Sequence, residues 1–283
     1  LGGNTIMTWL LAGKDPTPLE YVDAQVESNP VLLNAETIGI DALPLTPIFC
    51  LPAVSRFVGG DAIGDILTSS MYKKTEISLL IDLGTNGEII LGNKDWMVST
   101  SCASGPAFEG AGMRSGMRAM KGAIDTVKID KSGQVIWHVI GDTDPKGVCG
   151  SGIIDAAAAM AHAGILDISG KLIESAPGVR EGEHGLEFLL VPSHLTATGK
   201  DIVITSEDMA YLMDSKAAVL AAIIVLIKKY RLTPLDIHHV YLAGAFSSFG
   251  NIENLISFGI LPEFPSAEFH RIGNGSLAGA YAC

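Results

Sequence analysis

The spacing of apolar residues along the chain alternates between a period of two and a helical period, which predicts an α/β fold. Three runs rich in β-branched residues, 77–83, 88–93 and 96–102, are separated only by short turns, so we predict three consecutive antiparallel strands. A further buried strand is expected at 238–246. Helical spacing predicts helices over 4–11, 62–70, 153–164, 206–230 and 251–260, with a last strand and helix over 269–282.

The turn after the first of these strands suits two different chemistries. Its sequence, "DLGTNGE" from Asp82 to Glu88, follows a buried strand, as do the nucleoside loop of a methyltransferase and the phosphate hairpin of an ATPase. A methyltransferase loop leads into a helix, whereas the residues after this turn have strand character and no helical stripe. The following segment therefore favours the phosphate hairpin, and an ordinary tight turn stays open as the alternative.

The residues of this turn are suited to hold a phosphate and a magnesium ion. Glycine accepts a positive φ, so we expect the backbone N–H groups from Gly84 to Gly87 to converge on an anion, with the Thr85 hydroxyl as a further donor. We expect Asp82 to hold a water molecule of a Mg²⁺ ion that bridges phosphoryl oxygens. Gly244 and Ala245, in "VYLAGAF", are small enough for an adenine or ribose to approach the backbone.

Composition narrows the class of partner. The chain has 283 residues, 48% of them hydrophobic, and a formal net charge of −12. Nucleic acid and anionic membrane surfaces need a basic footprint, so neither is an expected partner. The longest apolar run, 217–227, is shorter than a membrane span, and "LGGNTIMTWLLAG" lacks the features of a signal peptide, so we expect a cytoplasmic protein.

Cysteine and histidine do not occur in metal-binding patterns. The four cysteines are far apart with no C-x-x-C, so we expect free thiols and neither an iron–sulfur cluster nor a zinc ribbon on this chain. The seven histidines show no H-x-x-x-H spacing, and the sequence therefore predicts no histidine metal site.

Several strings of the sequence together point to one family. They are "GNTIMTWLLAG", "LLIDLGTNGEIILGNKDW", "ASGPAFEGAGMRSGMRA", "VCGSGIIDA" and "YLAGAF". In these strings the chain resembles the actin-like domain of the reductive activators of corrinoid proteins. These are ATP-dependent iron–sulfur proteins that return the cobalamin cofactor of methyl-transfer systems from Co(II) to Co(I). The resemblance implies the ribonuclease-H-like fold of the actin, Hsp70 and sugar-kinase (ASKHA) superfamily.

The same resemblance implies a domain arrangement. Residues 75–283 are expected to form a complete second actin-like subdomain, and residues 1–74 the tail of the first subdomain with a crossover helix. In the family a [2Fe–2S] domain, a linker, a middle domain and a first Asp-x-Gly-Thr hairpin precede this region, and we expect none of them on this chain. We therefore expect a fragment of a longer protein, with ATP and Mg²⁺ as cofactors and the [2Fe–2S] cluster outside the chain.

Site residues also follow from the resemblance. Asp82 and Glu109 are the expected catalytic residues, Asp82 as the magnesium ligand and Glu109 as the base that orients the attacking water. The expected nucleotide-binding residues are Gly84, Thr85, Asn86, Gly87, Glu88, Gly150, Ser151, Gly152, Gly244, Ala245 and Phe246. Two alternatives stay open: a Gly-rich structural corner at Glu109, and close packing at residues 150–152. Asp61 is expected to line the cleft from the crossover helix, although an acid in a first helical turn has a sufficient role in the helix dipole.

The residues leave other functions open. A sugar or acyl kinase of the same superfamily would use a catalytic Asp in the same cleft. A non-catalytic module would bind the corrinoid protein without any effect of nucleotide. Arg114, Arg118 and Lys121 are expected on one helical face, where they would dock an acidic corrinoid protein or remain solvated. Assembly as a homodimer also stays open.

Overall fold

The structure is a computed structural model that describes residues 1–244 and 251–283. Its helices in this part of the chain are α1 (Thr5–Leu11), α2 (Gly60–Ser69), α3 (Gly150–His162), α4 (Ser206–Lys229), α5 (Ile252–Ser257) and α6 (Gly275–Ala282). Its strands are β1 (Val31–Asn34), β2 (Pro47–Cys50), β3 (Ser78–Leu83), β4 (Gly87–Gly92), β5 (Met97–Cys102), β6 (Ala123–Ile129), β7 (Val135–Val139), β8 (Gly147–Val148), β9 (Val179–Gly182), β10 (Gly185–Val191), β11 (Ile202–Thr205), β12 (His239–Ala243) and β13 (Glu268–Gly273).

A five-stranded sheet in the order β13-β12-β3-β4-β5 forms the centre of the fold. The strands β3, β4 and β5 make the predicted antiparallel meander, and β12 and β13 join parallel to β3 on its other side. A three-stranded meander extended by parallel strands is the ribonuclease-H-like arrangement. The predicted fold class is therefore confirmed.

Both faces of β3 are buried, and successive residues of the strand point to opposite sides. Leu79, Ile81 and Leu83 of β3 belong to the large core with α3 and α4. Leu80 faces the other side and packs with Ala62 of α2 in a smaller core. The pattern of apolar residues in β3 is continuous for this reason, as expected for a strand buried on both faces.

The long helix α4 is a core helix. Thr205 caps it and forms a capping box with Asp208, one residue before the start that the sequence predicts. By length and composition alone α4 could cross a membrane. Its residues Leu212, Val219 and Ile223 are fully buried in the large core, which explains its apolar character within the folded domain.

Residues 1–74 approach the central sheet through α2. This helix packs across α6, and the two helices come so close that a Cβ added at Gly279 would meet the backbone of Gly64. Small residues at both positions allow this close approach. The predicted division of the chain at residue 74 stays a prediction, since no contact in the structure tests it.

Two segments differ from the prediction. Residues 167–199, which the sequence leaves unassigned, contribute β9 and β10 to a second antiparallel sheet with β11. The expected helical face of Arg114, Arg118 and Lys121 is wrong, because residues 110–122 form turns and not a helix. Gly110 and Gly112 take positive φ angles of 76° and 79° there, which a continuing helix does not allow.

Candidate functional site

Asp82 and Glu88 occupy opposite positions in the antiparallel pair of β3 and β4. Asp82 lies two residues after Leu80, and Glu88 lies two residues before Ile90, and both of those apolar residues face the small core with α2. The two carboxyl groups therefore point to the face of the sheet that α2 covers.

The helix α2 brings two more carboxyl groups to this face. Asp61 lies in its first turn, and Asp65 follows four residues later, so both are on one side of the helix. Asp65 is completely buried, and among the described residues no N–H or hydroxyl group donates to its carboxyl oxygens. It shares a proton with the Asp82 carboxyl group instead. Gly275 at the start of α6 lies against Asp65 so closely that an added Cβ would meet its Oδ1.

The carboxyl groups strongly shift one another's pKa values. Burial, together with the neighbouring Asp82 carboxylate, raises the pKa of Asp65 to about 9. Burial and the charges of Asp61 and Asp82 raise the pKa of Glu88 to about 7. Burial also raises the pKa of Asp82, the hydrogen bond from Asp65 lowers it, and the charges of Asp61 and Glu109 raise it further. The charged groups that raise these three pKa values are all carboxylates, so the cluster carries uncompensated negative charge.

Such a cluster fits a hard divalent cation. Magnesium prefers oxygen ligands and commonly binds through one or two carboxylates with the rest of its coordination supplied by water and phosphate. A buried carboxyl group without an N–H or hydroxyl donor, as at Asp65, costs free energy unless a cation or a proton compensates it. We name Asp61, Asp65, Asp82 and Glu88 the acid cluster.

The tip of the β3–β4 hairpin has a different backbone from the predicted one. Neither Gly84 nor Gly87 takes a positive φ, and the Gly84 N–H donates a hydrogen bond to the Asn86 carbonyl at 3.1 Å. The expected convergence of successive N–H groups through positive φ is therefore wrong. Glycine at position 87 has a packing reason, since an added Cβ would lie 2.8 Å from Cys102 Sγ.

The end of β12 lies directly beside the acid cluster. Ala243 pairs with Asp82 in the parallel register, and Gly244 follows with a φ of +83°. A Cβ added at Gly244 would lie 2.5 Å from Asp82 Oδ1. The structure thus brings Gly244 to the phosphate hairpin. Ala245 and Phe246, the other expected nucleotide contacts of this loop, lie outside the described residues.

The hairpin tip itself is open. Thr85 and Asn86 are exposed. Glu109 is also exposed, at the end of a 3₁₀ turn, and its carboxylate reaches the hairpin: a Cβ added at Gly84 would lie 3.3 Å from Glu109 Oε1. The base expected from the sequence therefore lies at the mouth of the hairpin, on the same side as Asp82, whose pKa it helps to raise.

Gly150, Ser151 and Gly152 have a packing role in the structure. All three are buried at the start of α3. Cβ atoms added at Gly150 and Gly152 would meet the carbonyl oxygens of Phe108 and Ile124, respectively. These contacts place the start of α3 behind the 3₁₀ turn that carries Glu109, and the binding of nucleotide by these three residues stays a prediction.

Asp65 is the site residue that sequence reasoning missed. The signal was present in "DAIGDIL", where a second acid follows Asp61 by four residues on an otherwise apolar helix. An acid on the apolar stripe of a buried helix is rarely left unpaired, and it marks a candidate ligand.

The fold and the acid cluster define an ASKHA-type domain, and comparison with known proteins agrees. Residues 76–283 match the family described as the C-terminal domain of RACo, the ASKHA domain, and residues 1–74 match the RACo middle region. The expectation that the middle domain lies outside this chain is therefore wrong. This chain belongs to the RACo family, as the sequence resemblance predicted.

The chain is also similar to proteins that are named for their action on corrinoid proteins. The chain is 36% identical over 256 residues to the corrinoid activation enzyme RamQ of Eubacterium limosum, with 86% of this chain and 42% of that protein covered. It is 29% identical over 268 residues to the Co(II) methylated amine-specific corrinoid protein reductase of Methanosarcina barkeri, with 86% and 45% covered. A solved "Reductive activator for corrinoid, iron-sulfur protein" superimposes with a TM-score of 0.93 at 39% identity, with 99% and 45% covered. The chain thus spans less than half the length of these relatives.

Proposed function

We propose that this chain is the nucleotide-binding part of an ATP-dependent reductive activator that returns corrinoid proteins of methyl-transfer systems from Co(II) to Co(I). The observation that carries the proposal is the acid cluster, four carboxyl groups from α2 and the β3–β4 hairpin in which the buried Asp65 shares a proton with Asp82 and receives no N–H or hydroxyl donor from the described residues. Membership of the RACo family supports it, and the activities of RamQ and of the Methanosarcina barkeri reductase support the choice of corrinoid protein as partner.

The acid cluster would hold Mg²⁺. Asp82 lies near the end of β3, next to the tip of the phosphate hairpin. A bound Mg²⁺ neutralises phosphate charge during phosphoryl transfer. Asp65, once its neighbours face a cation, can release its proton and remain buried as a carboxylate. Glu109 at the hairpin mouth would accept a proton from the attacking water, since it is exposed and close to Gly84.

ATP hydrolysis would act on the corrinoid through a conformational change of the protein. Reducing Co(II) in a corrinoid is thermodynamically uphill for an ordinary iron–sulfur donor. The binding energy of the nucleotide must therefore drive a conformational change that allows the electron to reach the cobalt. The crossing of α2 and α6 at Gly64 and Gly279 is suited to transmit such a change, because α2 carries Asp61 and Asp65 of the acid cluster. Closure around ligands commonly uses few residues at such crossings.

The chain would act together with a further domain and a partner protein. The protein would be cytoplasmic, the electron would come from a [2Fe–2S] domain outside residues 1–283, and the partner would be a corrinoid protein. Residues 1–283 alone would bind nucleotide weakly and would not couple ATP hydrolysis to cobalt reduction. Robust corrinoid-dependent ATPase activity of this chain alone would contradict that last point.

Binding to a corrinoid protein in its Co(II) state tests the proposed function. The affinity is measured for this chain without nucleotide, with Mg–ATP and with Mg–ADP. We expect Mg–ATP to change the affinity by about fivefold or more, the range typical of linked sites. An affinity for the corrinoid protein that is the same with and without nucleotide would instead indicate a non-catalytic module that only binds this partner.

A further inference from the structure

A second group of metal-ligating side chains lies at the other end of β12 from the acid cluster. His239 begins β12, and Glu268 and His270 lie on the neighbouring edge strand β13. One ligand atom from each of the three residues lies within 4.8 Å of the others. His239 and His270 are 31 residues apart in sequence, so no short spacing pattern reveals the group.

The register of the sheet fixes the three side chains on one face. His239 pairs with Glu268 in the parallel register, and paired residues of neighbouring strands point to the same side. His270 lies two residues after Glu268 and therefore shares that side. The arrangement follows from the backbone of two paired strands and does not depend on a mobile loop.

The distances between the ligand atoms suit a single ion. His239 Nδ1 and His270 Nε2 are 3.1 Å apart, and Glu268 Oε2 lies 3.9 Å from the first and 3.7 Å from the second. Zinc holds imidazole nitrogens at about 2.0–2.1 Å in tetrahedral sites, which separates two ligands by a little over 3 Å. A metal ion would replace the hydrogen bond that joins the two ring nitrogens, with both nitrogens turned towards the ion and a small shift of the exposed Glu268 side chain.

The two histidines are held in place while the carboxylate is free to adjust. The side chains of His239 and His270 are 13% and 28% exposed, whereas that of Glu268 is 71% exposed. The His270 ring stacks on Tyr241 with the ring centres 4.7 Å apart.

We propose that His239, His270 and Glu268 bind one zinc-type divalent ion, with water at the fourth position. Two imidazoles and one carboxylate favour zinc over magnesium, which prefers oxygen ligands alone. The ion would tie the edge strand β13 to β12, whose other end at Ala243 lies about 13 Å away along the strand. It would therefore stabilise the sheet without touching the acid cluster.

The positive charge of Lys74 opposes metal binding at this site. This charge lies close enough to His239 to lower the pKa of that residue, and the same charge repels a metal ion. Glu76 lies nearby with the opposite charge. Replacement of the ammonium group by a neutral amide is therefore expected to tighten metal binding and to leave the three ligands intact.

Equilibrium dialysis with Zn²⁺, followed by elemental analysis, tests the site. The chain carries Cys283→Ser and no polyhistidine tag, because the exposed Cys283 thiol would also bind zinc. We expect one zinc per chain in this background, at most a tenth of that in His239→Ala and His270→Ala, and the full amount in the control His238→Ala. Absence of zinc from the parent chain, or zinc that survives both ligand changes, would overturn the proposal.

Three further variants guard against misfolding and against confusion with the acid cluster. Glu268→Gln changes an exposed side chain and is expected to weaken Zn²⁺ binding about tenfold, while Lys74→Gln is expected to strengthen it severalfold. Asp82→Asn should keep its zinc, and loss of zinc there would assign the ion to the acid cluster. Unchanged affinity in Glu268→Gln together with Lys74→Gln would also refute the site.

Binding should also be visible in stability. Zinc at about 100 times its dissociation constant is expected to raise the unfolding midpoint of the Cys283→Ser chain by about 5 °C. The same zinc should leave the midpoint of His270→Ala unchanged. An equal rise in both chains would show that the ion binds elsewhere.

Discussion

Asp82 and Glu88 lie directly opposite each other across the β3–β4 hairpin, and both face α2. Like charges at directly opposed positions destabilise a strand pair, and here α2 adds Asp61 and Asp65 to the same face. A fold that keeps four such carboxyl groups together stores unfavourable electrostatic energy, which a bound cation would relieve.

The first prediction concerns Asp65 and the stability of the magnesium-free protein. Its pKa of about 9 lies above the ordinary value of 3.8, so between these pH values the folded chain keeps a proton that the unfolded chain releases. The Asp65 contribution therefore lowers the free energy of unfolding as pH rises from about 4 to about 9. We expect Asp65→Asn to stabilise the protein at pH 8 by about 1–3 kcal/mol and to have little effect near pH 4.

Urea unfolding at the two pH values, in chelator-treated buffer, measures this effect. The control is Asp41→Asn, since Asp41 is exposed. A loss of stability at pH 8 in Asp65→Asn would show that the buried carboxyl group is not a source of strain.

The second prediction separates the contact of Gly244 with the acid cluster from its backbone conformation. Gly244 and Gly199 both have positive φ, +83° and +66°, so alanine strains the backbone at either position by about 1 kcal/mol. Only at Gly244 would the new Cβ press on Asp82 Oδ1; at Gly199 nothing lies within 4 Å. We expect Gly244→Ala, but not Gly199→Ala, to weaken Mg–ATP binding at least about tenfold.

Titration of a fluorescent ATP analogue in the presence of Mg²⁺, with each variant and the parent chain, provides the comparison. Wild-type nucleotide affinity in a folded Gly244→Ala protein would remove Gly244 from the proposed site.

The third prediction concerns Glu109 as a base. Glu109→Gln keeps the size of the side chain and removes its ability to accept a proton. In the proposed full-length activator, assayed with the proposed corrinoid partner, we expect kcat for ATP hydrolysis to fall by about 10²–10⁴ with little change in KM. Glu181→Gln, an exposed acid on β9, is the matched control. A rise in KM with unchanged kcat would instead assign Glu109 to nucleotide binding.

Sequence reasoning predicted the elements whose signals are local. The β3–β4 hairpin could be read from strand-like residues on both sides of a Gly-containing turn, and α4 from a capped start and a long apolar stripe. Asp82 and Glu88 were found because they lie on that hairpin. In each case neighbouring residues carry the information.

The features that sequence reasoning missed depend on contacts between distant segments. The burial of Asp65 results from the packing of α2 against β3 and α6, which residues 61–65 alone do not specify. The turns around Gly110 and Gly112 override a spacing of basic residues that would suit a helix. His239 and His270 come together only through the parallel pairing of β12 and β13.

The central claim is that Asp82 and its neighbours hold the magnesium ion of a bound nucleotide, and calorimetric titration with ATP tests it most directly. Titrations are made with and without Mg²⁺ on this chain, on Asp82→Ala and on the control Asp95→Ala, an exposed acid in the turn between β4 and β5. We predict weak, Mg²⁺-dependent binding in the parent and control chains, and at least about tenfold weaker binding in Asp82→Ala. Equal affinity of the parent chain and Asp82→Ala for Mg–ATP would contradict the account.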